Sequence, residues 1–192
     1  MLKRFTQPYD ARLIDAIQSD KPDVVAKRLT LDKLGKLSQD EKNTLVNAAL
    51  SQANSKILSL LLAALGESVC QKNSQWLLVS LEQTNALALL TELLHAKVPA
   101  SDLTLIDAVV SQKDKGDWLM IISRLAEHGL AVEQHPTLLT TALRNDHQNL
   151  VHYLIEAGSE LPTEQPQGCS DDIWLYAKRC ADNKAVRALL GP

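Results

Sequence analysis

Aromatic residues make up only 4% of this 192-residue chain, and phenylalanine occurs once. Its interior must therefore be filled by Leu, Ala, Ile and Val, the composition of short helices packed closely together. No sign of charge dominates: 20 Lys and Arg stand against 23 Asp and Glu, leaving a formal charge of −3. That balance gives no general electrostatic footprint for nucleic acid or an anionic membrane, and the signs alternate locally, as in Lys113-Asp114-Lys115. Cysteine is scarce: Cys70, Cys169 and Cys180 are far apart, with no C-x-x-C pair to suggest zinc or redox chemistry. They read as small buried side chains in a reducing compartment. The most apolar run, Ile57 to Leu65, is under half of the ~20 residues a membrane span needs. The opening MLKRFTQPYD turns polar too soon for a secretory signal. A soluble, cytoplasmic protein is expected.

Site chemistry is also sparse. The seven glycines are dispersed and form neither G-x-x-x-x-G-K-[ST] nor G-x-G-x-x-G, so no nucleotide or other cofactor is expected. Among the histidines His95, His128, His135, His147 and His152 there is no H-E-x-x-H, and His147 and His152 are spaced poorly for sharing a metal. No serine or cysteine nucleophile sits beside Asp146-His147 in any recognisable motif.

What the chain does have is helical periodicity. Apolar residues recur at helical spacing nearly throughout, and polar or breaking clusters at 19–22, 71–74, 113–117 and 166–170 keep the helices short. Short helices are marginal alone and must be stacked. The clearest unit runs from Pro136 to Pro162: a first helix over 137–143, a polar turn over 144–148, a second helix over 149–156 and a Gly158 stop.

This unit resembles the ankyrin repeat, whose first helix opens with T-P-L-H-x-A. Thr137, Leu139 and Ala142 match that signature, Asp146-His147 stands where the family usually has Gly-His, and Glu156-Ala157-Gly158 matches the end of the second helix. Leu138 and Thr140 replace the family's proline and histidine. Sliding the frame along the chain puts helix openings at Ala11, Thr44, Gln75, Thr104, Thr137 and Asp172, so successive differences are 33, 31, 29, 33 and 35. Second helices are expected at 24–29, 56–65, 86–94, 118–129, 150–158 and 184–191. Ala96-Lys97 takes the place of the third unit's glycine stop, and the fourth carries about four extra residues in its inner turn. The tetratricopeptide signature does not recur.

The resemblance implies an all-α solenoid of about six ankyrin-like helix-turn-helix repeats with short finger loops. It forms one domain over 1–192 with units near 8–37, 38–71, 72–101, 102–134, 135–168 and 169–192, the end units acting as caps. It also implies a partner-binding concave face built from residues after each first helix and from the fingers. Those positions supply Gln52, Glu82, Gln83, Gln112, Arg144 and Asn145, with Lys72, Asn73, Gln134 and His135 from fingers. Trp76 and Trp118 join them because tryptophan is enriched at binding hot spots, whereas Trp174 falls at a core position.

The resulting expectation is a non-catalytic module that binds another protein as adaptor, inhibitor or regulator, without nucleic acid, membrane or small-molecule substrate. The alternatives are an immunity-type protein that neutralises a basic toxin and an enzyme with a deep pocket between degenerate repeats. A purely structural oligomeriser would instead show an exposed apolar patch on one cap.

Overall fold

Adjacent apolar residues, repeated one turn later, decide which face each helix buries. In the second helices the stripe is Ile57, Leu58, Leu61 and Leu62, then Leu89, Leu90, Leu93 and Leu94, then Ile121, Ile122 and Leu125, then Leu150, Val151, Leu154 and Ile155, all buried. In the first helices it is Leu45, Val46, Ala49 and Leu50, then Trp76, Leu77, Ser80 and Leu81, and later Leu138, Leu139, Ala142 and Leu143. Each large side chain so removed from water contributes roughly 1.5–3 kcal/mol.

The computed structural model describes residues 8–112 and 117–190, which form thirteen α-helices and one short 3-10 turn, with no strand among them. The four-residue insertion, 113–116, and the opening segment, 1–7, lie outside the described residues. The chain divides into two compact units, 1–100 and 101–192.

In the first unit three helical hairpins stack. Their first helices, α1 (Tyr9–Gln18), α4 (Gln39–Ser51) and α7 (Gln75–Leu81), pack in sequence, α1 on α4 and α4 on α7. Their second helices, α2 (Pro22–Arg28), α5 (Ser55–Leu65) and α8 (Ala86–His95), pack likewise. Single-turn helices α3 (Leu31–Leu34) and α6 (Glu67–Cys70) link the hairpins and pack on α5. In the second unit α9 (Thr104–Val110) pairs with α10 (Trp118–Glu127), and α11 (Leu138–Arg144) with α12 (Gln148–Ala157). There α10 packs on α12, and α12 on the long α13 (Asp171–Leu190).

A small residue recurs at the centre of most first-helix stripes: Ala16, Ala49, Ser80, Ala142 and Ala177, with Val109 in α9. Small side chains let neighbouring helices approach closely. Ser80 is fully buried and satisfies its hydroxyl by donating to Leu77 O at 2.7 Å.

The turns repeat too. Between first and second helices a residue adopts positive φ: Asp20 (51°), Ala53 (50°) and Asp146 (51°). These turns tie forward, because Asn54 Nδ2 donates to Asp20 Oδ1 at 2.6 Å, Asn85 Nδ2 to Ala53 O at 3.3 Å, and Ser170 Oγ to Asp146 Oδ1 at 2.6 Å. At the ends of second helices the stop is Lys97 (67°), Gly129 (101°) and Gly158 (118°), each followed by an amide that reaches back five residues: Val98 to Leu93 O, Leu130 to Leu125 O and Ser159 to Leu154 O. This is the Schellman closure, in which a left-handed residue satisfies the last carbonyls.

The left-handed residue carries a measurable cost for a side chain. A Cβ at Gly158 would meet only the Glu133 side chain, at ordinary contact distances of 3.7 Å (Cβ) and 3.9 Å (Cγ), so backbone conformation alone opposes it. Gly158→Ala is expected to cost about 1–2 kcal/mol, and Lys97→Gly to stabilise by about 0.5–1 kcal/mol. Urea denaturation of the two variants reads both signs.

Two expectations are corrected. The last unit is not a helix-turn-helix, since 171–190 is one uninterrupted helix. No Gly or Pro interrupts it, and Asp182 and Asn183 sit on its exposed side instead of forming a turn. Lys184 Nζ donates to Ile155 O at 2.6 Å and Arg187 pairs with Glu156, which fastens this stretch to the end of α12. The fingers, in turn, are not all loops: α3, α6 and the 3-10 turn Val132–Gln134 occupy three of them.

Candidate functional site

The expected partner-binding residues divide by burial. Trp76 is 0% exposed and Trp118 2%, so neither indole is available to a partner in this conformation. Trp76 is buried in α7 as Leu45 is in α4, whereas Trp118 opens α10 and stacks on His147, with ring centroids 6.0 Å apart and planes 12° from parallel. Both indole Nε1 atoms are buried without a hydrogen-bond partner. Asn73 is also buried, its amide donating to Val69 O at 2.7 Å as a brace on α6. These three residues serve the core.

His135 is another inward residue. Its side chain is 6% exposed and its Nε2 lies 3.2 Å from Asp107 Oδ1, which fastens the turn after α10 to α9. Gln83 and Asn145 are half-buried and bond back to their own helices, to Val79 O at 3.2 Å and Thr141 O at 2.8 Å. Gln112 is half-buried.

The remaining five residues are exposed: Gln52, Lys72, Glu82, Gln134 and Arg144. Gln52 and Glu82 cap the C-terminal ends of α4 and α7. Because α1, α4 and α7 pack in sequence, these caps and Ser19, the cap of α1, form one polar edge of the first unit. The Ser19 hydroxyl and the Gln52 amide can both donate and accept, and the Glu82 carboxylate accepts and adds a negative charge. In the second unit Arg144 ends α11 and its Nε donates to Gln167 O at 3.1 Å, leaving part of the guanidinium fork open to solvent.

No family model, curated protein or solved structure matches the chain.

The residues that sequence reasoning missed are the turn asparagines. Asn54 caps α5 by accepting the Ile57 amide at 3.0 Å while donating to Asp20, and Asn85 repeats the inter-turn bond. Their recurrence at the same frame position, 31 residues apart (85 minus 54), was the available signal.

One nucleophile stands beside a base. Cys180 Sγ lies 3.5 Å from His152 Nδ1 across the contact between α12 and α13, but the thiol is buried. Tyr176 beside it has its phenol pKa raised, first by burial and then by its hydrogen bond with Cys180. Burial, then Asp146 and Asp171, pushes the Cys169 thiol up, which lowers its thiolate fraction at neutral pH. Among the described residues no group of three or more His, Cys, Asp or Glu could hold a metal ion, and no helix is long and apolar enough to cross a membrane.

Asp102 braces the chain just before α9. Its carboxylate accepts the Thr104 amide at 2.9 Å, and that bond, helped by the Thr104 side chain, holds its pKa below the ordinary 3.8. A depressed carboxylate stabilises the fold above the unfolded-state value and loses that contribution as pH falls through the lower folded value. Asp102→Asn is thus expected to destabilise at neutral pH, with the gap from the unmodified protein closing below the ordinary Asp range. Denaturation midpoints measured from pH 7 down to pH 2 check this.

Proposed function

We propose that this chain is a degenerate ankyrin-like repeat protein that binds another protein without catalysis, as an adaptor, inhibitor or regulator. The observation that carries the reading is the polar edge of Ser19, Gln52 and Glu82: exposed, supplied by consecutive stacked first helices, and backed by a largely apolar core. Repeat arrays bind through extended surfaces held rigid by such stacking. The recurring inner-turn bonds, the left-handed stops and the small residue at the heart of the first helices support the repeat part of the reading.

Affinity capture from the native cell tests it, comparing the unmodified protein with a Gln52→Arg, Glu82→Arg variant whose fold is verified by circular dichroism. Both positions are exposed caps, and surface changes of this kind shift stability by about 0.5 kcal/mol or less. A partner retained by the first and lost by the second supports recognition by this edge; equal recovery moves the interface elsewhere, and no specific partner defeats the reading.

A specific observation favours a second reading. Leu189 is 87% exposed, Leu190 79% and Val186 52%, all near the end of α13. An apolar patch on a terminal helix suits self-association. A concentration-dependent mass in sedimentation equilibrium, abolished by Leu189→Glu with Leu190→Glu, would establish it; a monomer at all concentrations would refute it.

A further inference from the structure

The formal charge of the chain is negative, yet one cleft of the first unit is lined by cations without a carboxylate. Tyr9, Arg12, Lys27, Arg28, Thr30 and Lys33 enclose about 230 Å³ between α1, α2 and α3. All four cations are exposed, and none forms an ion pair among the described residues. Four like charges around one small cleft repel one another, and an anion placed there relieves that repulsion.

The cleft is also held in shape. The Tyr9 hydroxyl donates to Arg28 O at 3.0 Å and accepts the Thr30 amide at 3.3 Å, fixing the ring between the end of α2 and the start of α3. Arg28 donates a guanidinium N–H to Arg12 O, which braces α2 against α1, and Lys33 Nζ lies over the Tyr9 ring, 5.4 Å from its centroid. The next cleft along α1 and α2 shares Arg12 and Arg28 but includes Asp15, so the carboxylate-free charge is concentrated on the Tyr9 side.

We infer that this cleft binds a phosphomonoester dianion. Two guanidinium groups offer forked N–H pairs to tetrahedral oxygens, and two ammonium groups add point charge and rotatable donors. A doubly charged, compact anion uses all four where a single carboxylate would leave most of them unpaired. The dianion belongs to free phosphate or to a phosphorylated side chain, and the size of the bound species separates the sources.

The test uses the full chain at low ionic strength, followed by ¹⁵N-detected shifts of the Thr30 amide and the arginine Nε groups. Inorganic phosphate, a phosphoserine peptide, its unphosphorylated counterpart and acetate are each titrated. Saturable shifts with both phosphates and none with the unphosphorylated peptide are expected. Binding should weaken about tenfold or more, equivalent to ~1.4 kcal/mol, in Lys27→Ala with Lys33→Ala, a variant that removes no recorded hydrogen bond. Tighter binding of the phosphopeptide than of phosphate assigns the cleft to a phosphorylated chain; equal binding assigns it to the free anion. Absence of saturation, equal shifts with acetate, or unchanged affinity in the double variant overturns the proposal.

Discussion

Trp76→Ala is expected to cost roughly 3–5 kcal/mol of stability, the range for truncating a large buried aromatic. Its side chain is fully buried on the stripe it shares with Leu77, Ser80 and Leu81 in α7. A typical domain has only about 5–15 kcal/mol in total, so the loss removes a large share of the folded population. Trp76→Phe should be much milder, because it keeps most of the ring volume and also removes the buried Nε1 that has no partner. Urea denaturation followed by circular dichroism gives both values. A change for Trp76→Ala comparable to a surface substitution would mean that the ring is not in the core.

Ala49→Leu is expected to destabilise by about 1–3 kcal/mol through overpacking, the opposite volume change from the first case. Ala49 is 0% exposed at the middle of α4, where α1 and α7 both pack, and its counterparts in those helices are Ala16 and Ser80. Three methylene-sized groups inserted there must displace neighbouring helices or force side chains from their rotamers. The control is Ala63→Leu on the exposed side of α5, which should change stability by about 0.5 kcal/mol or less. Similar midpoints for the two variants would contradict close contact between the first helices.

Much of the helix arrangement was legible because its signal is periodic. The second helices expected at 56–65 and 86–94 are Ser55–Leu65 and Ala86–His95, and the expected opening at Thr104 is the start of α9. The end of the chain was misread because the repeat frame imposed a turn before a second helix at 184–191, where Asp182 and Asn183 are polar but compatible with a helix. Nothing local breaks the backbone there, and a polar triplet on a long amphipathic helix looks like a turn when only its polarity is counted.

The candidate surface was less legible, and the tryptophans show why. Trp76 was singled out by residue type, although the residues following the expected openings at Thr44, Thr104 and Thr137 are Leu45, Leu105 and Leu138, all buried. Position in the repeat outweighs hot-spot enrichment, because a stripe position is committed to the core whatever hydrophobe fills it. Asn73 and His135 were misplaced for a different reason. Polar residues in fingers look solvent-directed in sequence, yet the amide of Asn73 and the imidazole of His135 close the fold on Val69 O and Asp107. The cationic cleft was invisible for a third reason: Arg12, Lys27, Arg28 and Lys33 are spread over 22 positions (12 to 33) among acidic neighbours, and only folding gathers them.

The most direct test of the central claim is amide hydrogen exchange of the full chain with and without the protein it captures. Recognition by the first-helix edge predicts slowed exchange at the ends of α1, α4 and α7, around Ser19, Gln52 and Glu82, with α2, α5 and α8 unchanged. Protection confined to the second helices, or to the end of α13, would contradict it.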